Sequence, residues 1–257
     1  MAEKATFRVY GENGATFLVF QALADCPDAV QDVLIARLKQ FGTRGKWDGP
    51  RLRDVEVWLF PNFGKASGFG EPDVVIVAQD ENGDDYAIWI EVETTINSQR
   101  ALPSLRRSLV QLWRFRFFQH ALIRRSKREA GALRINGVTL SDEREVRGAS
   151  LLRRDHGVLQ VIGSRLQRAG EQEHDHYVLF TIDRPHGEGK KRSKHPYWKV
   201  LERETDLMSS AYPAKLPRLP LDRCWYAYWY KDIRQPYRGL CGQELDLVHQ
   251  YVRIKRK

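Results

Sequence analysis

The chain has 257 residues, 42% of them hydrophobic and 11% aromatic, with a formal net charge of +9. That much apolar material excludes a disordered or fibrous chain, and the low mean hydropathy reflects surface charge. The positive balance suits a polyanion or an acidic membrane surface, although a merely soluble basic protein carries the same charge.

No segment reaches the roughly 20 apolar residues of a membrane span, and the start MAEKATFRVYGENGATF has no apolar signal core. The expectation is a cytoplasmic protein with no membrane partner. Cys26, Cys224 and Cys241 are odd in number and lack CxxC spacing. They indicate neither a disulfide framework nor a zinc finger, and favour a reducing compartment.

In chain order, GENGATFLVFQALADCP from Gly11 reads as a helix with Phe17, Leu18, Val19, Phe20 and Leu23 mostly facing inward, ending before Cys26. Pro27 opens a second helix, with Val30, Val33, Leu34 and Leu38 at helical spacing and Gly42 as its stop. VEVWLF, Val55 to Phe60, is a strand. DVVIVA and YAIWIEVE follow as two antiparallel strands joined through QDENGDD. Pro103 opens a long helix to about Ser126. Its buried stripe is Leu105, Leu109, Leu112 and Trp113, and its other face carries Arg106, Arg107, Arg114, Arg116, Arg124 and Arg125.

After a polar loop near Leu133 to Val146, VLQVIG and YVLFTI read as strands. Beyond about Arg184 come a basic loop, HGEGKKRSKHPYWK, and an aromatic strand, CWYAYWYKDIRQPY. The expected organisation is one α/β unit over residues 1–183, with a C-terminal basic and aromatic elaboration over 184–257 packed on it.

The acids within the strands carry the chemical signal. Side chains alternate along a strand, so Glu91 and Glu93 share a face with Trp89, while Ile88, Ile90 and Val92 point the other way. DVVIVA is apolar on both faces, as in a central strand. A two-residue Asn82-Gly83 turn would set Asp73 opposite Val92. A three-residue loop, Glu81-Asn82-Gly83 with Gly83 left-handed, sets Asp73 opposite Glu91 and is the register expected.

Three carboxylates then crowd one spot, and two of them about 4 Å apart at an effective dielectric of about 20 repel by roughly 4 kcal/mol. Protonation, a basic side chain or a divalent cation would relieve this, and hard oxygen ligands suit Mg2+ or Mn2+. The alternative is that Glu91 and Glu93 lie at the solvated end of an edge strand.

Pro72, Asp73, Glu91 and Glu93, with Gly68 to Gly70 before them and VVIV after the Asp, resemble the PD-(D/E)XK nuclease superfamily. Its signature is Pro-Asp at the start of one strand and Glu-x-Lys near the end of the next. Glu12 stands where an acid of the first helix often completes such sites. Gln111, with Phe115 four residues on, is similar to the helix motif of some branches. The likeness spans about residues 10 to 120. It implies a restriction-endonuclease-like mixed sheet flanked by helices, and metal-assisted hydrolysis of DNA phosphodiesters by an endonuclease of defence, restriction or repair.

In that reading Asp73, Glu91 and Glu12 bind Mg2+ or Mn2+, Glu93 positions or deprotonates the attacking water, and Gln111 contacts the site or a phosphate. Glu93 replaces the usual Lys, as in a Glu-x-Glu variant, with Lys65 as a minor substitute cation. That departure keeps open a nuclease-fold module that binds nucleic acid or assembles into a larger complex without chemistry.

Arg106, Arg107, Arg114, Lys190 and Lys191 are candidate phosphate contacts, DNA ahead of RNA, and a solvated face explains them equally. A homodimer or a larger defence complex is an open alternative for assembly. Trp225, Tyr226, Tyr228, Trp229 and Tyr230 could stack on bases, but such clusters are more often core or interface. His174 and His176 have a spacing that metals use, without a third ligand nearby in sequence.

Overall fold

The computed structural model describes residues 11–26, 28–61, 63, 72–93, 101–124, 133–135, 138–141, 157–182 and 219–242. Its elements are α1 (Gly11–Ala24), β1 (Lys39–Gln40), β2 (Arg53–Leu59), β3 (Val74–Gln79), β4 (Asp85–Glu93), α2 (Ala101–Arg124), β5 (Leu133–Ile135), β6 (Val138–Ser141), α3 (Gly157–Glu171), β7 (Asp175–Thr181), β8 (Cys224–Tyr228) and α4 (Arg234–Cys241). A π-helical turn, Ala29–Leu34, and a 3-10 turn, Ile35–Arg37, lead into β1.

Six strands form one mixed sheet in the order β1-β8-β7-β4-β3-β2, and β5 and β6 form a separate hairpin. β4, β7 and β8 run parallel, whereas β2, β3 and β4 form an antiparallel meander. The alternation expected of a two-sided sheet holds across all the central strands. Val75, Val77, Ala87, Trp89, Tyr177, Leu179 and Tyr226 pack under Leu109, Leu112, Trp113 and Phe118 of α2 and Ile162 and Leu166 of α3. Val74, Ile76, Ile88, Ile90, Val92, Val178 and Phe180 pack on the other face, against Val19, Phe20 and Leu23 of α1 and Val33 and Leu34 of the π-helical turn. β3 is buried on both faces because β2 and β4 flank its edges and helices cover its surfaces.

Four sequence expectations are corrected. VLQVIG lies inside α3, where Val158, Leu159, Ile162 and Leu166 recur at helical spacing and pack on the sheet; its β-branched residues mimic a strand only over a short window. The polar stretch after Leu133 contains the β5–β6 hairpin. Phe17 is 44% exposed, on the solvent side of α1. The segment beyond residue 184 supplies β8 to the sheet itself, between β1 and β7, so Trp225, Tyr226, Tyr228 and Trp229 are core residues.

Cys26 and Cys241 form a disulfide, with Cα atoms 6.3 Å apart and 215 positions between them, while Cys224 is a buried free thiol. The bridge overturns the expectation drawn from cysteine number and spacing, and with it the argument for a reducing compartment. Among the described residues no helix is long and apolar enough to cross a membrane.

At the end of the sheet where β4 and β7 begin, His174 and His176 lie parallel to the Tyr86 ring, with centroids at 4.3 and 6.0 Å, and Trp47 covers His176 at 4.6 Å. Trp225 Nε1 donates to His176 Nδ1 at 3.1 Å. Burial first, then Arg223 and His174, push the His176 imidazole down to about 3, so it stays neutral. Because an unfolded histidine titrates near 6.5, this depressed value leaves stability intact above about pH 6.5 and withdraws it as pH falls toward 3, by at most about 1.4 kcal/mol per pH unit. Urea unfolding between pH 7.5 and 4.5 should show this decline, and His176→Gln should flatten it. Equal slopes in the two proteins would contradict the assignment.

Candidate active site

The acids are placed by the β3–β4 hairpin. Asp80 N–H donates to Asp84 O at 3.0 Å, Gly83 N–H donates to Asp80 O at 3.2 Å, and Gly83 has φ +84°. The Asp80 carboxylate accepts from the backbone of Asn82 and Asp84 at 2.8 and 2.9 Å. This is the three-residue loop with a left-handed glycine. It pairs Gln79 with Asp85 and Val74 with Ile90, and one further step sets Asp73 opposite Glu91. Directly opposed residues of an antiparallel pair have Cβ atoms about 4.5–5.5 Å apart.

Both acids follow the alternation of Val75, Val77, Ala87 and Trp89, so Asp73, Glu91 and Glu93 share the face covered by α2. All three are half-buried at the end of the sheet where β4, β7 and β8 terminate. In open α/β sheets that carboxyl end is where ligands collect.

Each backbone position is held. Asp73 O accepts from Phe60 N–H at 2.9 Å, and Asp73 Oδ2 accepts from Val92 N–H at 2.7 Å, which extends the β3–β4 ladder by one side-chain rung. Ser108 Oγ, on α2, donates to Glu93 Oε1 at 2.5 Å. Ser108 is 1% exposed, so the contact ties α2 to the acid end of β4. A lone serine inside a helix carries no sequence signal, and this residue was not anticipated.

Gln111 follows Ser108 by three positions, about one helical turn, and its Oε1 accepts from Arg114 Nη1 at 2.9 Å. Arg114 is half-buried. Glu12 lies in the first turn of α1, which backs the opposite face of the sheet, and its side chain is outside the described residues. The side chains of Arg106 and Arg107, in the first two turns of α2, are also outside them, as are Lys65, Lys190 and Lys191 entirely.

Arg116 does not belong to a solvated face. Its Nη1 donates to Asp175 Oδ2 at 2.5 Å, and Arg223 Nη1 donates to Asp175 Oδ1 at 2.5 Å, with Asp175 fully buried. The Tyr177 hydroxyl donates to the same carboxylate, and burial, then Asp175, pushes that phenol well above its ordinary value, so it remains a donor.

Among the described residues no three of His, Cys, Asp and Glu form a group that could hold a metal ion. Asp73 and Glu91 supply two opposed carboxylates, and Mg2+ is commonly held by one or two carboxylates together with water and substrate phosphate oxygens. The donor chemistry therefore fits a hard divalent cation, as two protein ligands of a larger set. A cleft of about 490 Å3 lies elsewhere, lined by Cys26, Asp28, Gln31, Arg51, Val55 and Val57, and none of Asp73, Glu91 and Glu93 lines it.

The fold and site define a mixed α/β protein whose open six-stranded sheet is flanked by helices, with Asp73 opposite Glu91 in register at one end of the sheet. No family model, curated protein or solved structure matches the chain.

Proposed function

We propose that the chain is a divalent-metal-dependent nuclease of restriction-endonuclease-like architecture that hydrolyses DNA phosphodiesters, acting as an endonuclease in defence, restriction or repair. The observation that carries this reading is the hairpin register, which opposes Asp73 and Glu91 on the face that Glu93 shares. The mixed six-stranded sheet flanked by helices supports it, since a mixed sheet with flanking helices is what the resemblance implies.

Asp73 and Glu91 would hold Mg2+ or Mn2+, with Glu12 as a further ligand directly or through water. The ion, when bound, supplies a Lewis acid for the phosphate and makes water acidic near neutral pH. Glu93, oriented by the Ser108 hydroxyl, takes the proton of the attacking water in place of the usual Lys. Gln111 contacts a backbone phosphate. Arg106, Arg107, Arg114, Lys190 and Lys191 neutralise neighbouring phosphates, which makes affinity fall steeply with salt.

A second reading, a fold that binds nucleic acid without cutting it, is favoured by Glu93 standing where Lys is usual. One assay separates the two. Plasmid, linear and single-stranded DNA, and RNA, are incubated with the protein in Mg2+ or Mn2+, beside Asp73→Ala and Glu91→Ala. Cleavage should fall at least about 100-fold in either variant. Binding without cleavage, unchanged by either substitution, would replace the nuclease with the binding module.

A further inference from the structure

Thr181 closes β7, in register with Glu93 of β4 on one side and Tyr228 of β8 on the other. It continues the alternation of Tyr177 and Leu179, so it faces α2, as Glu91 and Glu93 do. The residue is 0% exposed, and its Oγ1 has no hydrogen-bond partner among the described residues. Burying a hydroxyl without a partner costs stability, and packing alone would be served by valine at this position. An orphan donor next to an acid gripped by a helix hydroxyl calls for a functional partner.

We propose that Thr181 is a positioning residue for Glu93: in the DNA-loaded enzyme its hydroxyl donates to the Glu93 carboxylate from the strand side while Ser108 donates from the helix side. The inference rests on the nuclease reading, in which Glu93 takes the proton of the attacking water. Two hydroxyl donors on different elements fix the plane of the carboxylate. Hydrogen bonds of catalytic groups commonly tighten only when substrate is bound, which accounts for a hydroxyl waiting beside the acid.

Thr181→Val and Thr181→Ser in the full chain test this, with supercoiled plasmid and Mg2+. Thr181→Val should lower kcat about tenfold with KM for DNA unchanged. Its melting temperature should stay equal or rise, because the unpaired hydroxyl is gone. Thr181→Ser should restore the rate. A Thr181→Val protein with wild-type kcat would overturn the proposal while leaving the nuclease reading intact. A loss of rate accompanied by a lower melting temperature and not rescued by serine would reduce Thr181 to packing. Wild-type protein that cleaves nothing in either metal would remove the nuclease reading and this inference together.

Discussion

Replacing Asp175 with asparagine is expected to lower the unfolding free energy by about 3–5 kcal/mol, the usual cost of removing one partner from a buried ion pair. Asp175 is fully buried and accepts from Arg116 of α2, from Arg223 just before β8, and from Tyr177 on its own strand. The substitution keeps the shape but leaves two guanidinium groups, 13% and 12% exposed, facing a neutral amide. Because those groups come from a helix and from the C-terminal segment, the loss should loosen the seating of β8 as well as lower the global stability. An unfolding free energy from urea titration that falls by less than about 1 kcal/mol, with unchanged denaturant dependence, would show that the cluster is worth little.

Reducing the Cys26–Cys241 disulfide should have an effect of similar size. The bridge closes a loop of 215 positions, and loop-closure entropy for that length corresponds to about 5 kcal/mol at 25 °C in the chain-entropy account. It ties the residues after α1 to the end of α4, both of which pack on the α1 face of the sheet. Alkylation of the denatured protein without reductant should label Cys224 alone, and a dithiol reductant or Cys26→Ser should lower the melting temperature steeply. Three labelled thiols before reduction would contradict the bridge.

The parts of this fold legible in the sequence are those whose information is local. The three-residue hairpin loop could be chosen because Asn82-Gly83 supplies the left-handed position, and from that one choice the opposition of Asp73 and Glu91 follows. The two-sided burial of β3 and the facing of Glu91 and Glu93 were likewise readable from apolar runs and strand alternation. What escaped depends on residues distant in sequence. Arg116 sits among arginines that look solvated, and only the approach of Asp175, 59 positions away, turns it inward. Ser108 matters because α2 passes over the end of β4, which helical spacing alone does not specify. The two bridged cysteines meet because α1 and α4 share one face of the sheet, a fact that spacing rules for nearby cysteines do not address. The β-branched start of α3 was misread because a six-residue window favours strand, whereas the longer period of Leu159, Ile162 and Leu166 identifies the helix.

In the proposed nuclease, Asp73 and Glu91 together hold a divalent cation at the carboxyl end of the sheet. Crystals grown with Mn2+ and measured at the manganese edge test it most directly. The account predicts an anomalous peak about 2.1–2.3 Å from an oxygen of each carboxylate, abolished in Asp73→Ala. A protein that cleaves DNA in Mn2+ yet shows its anomalous peak elsewhere, with none between these two side chains, would contradict it.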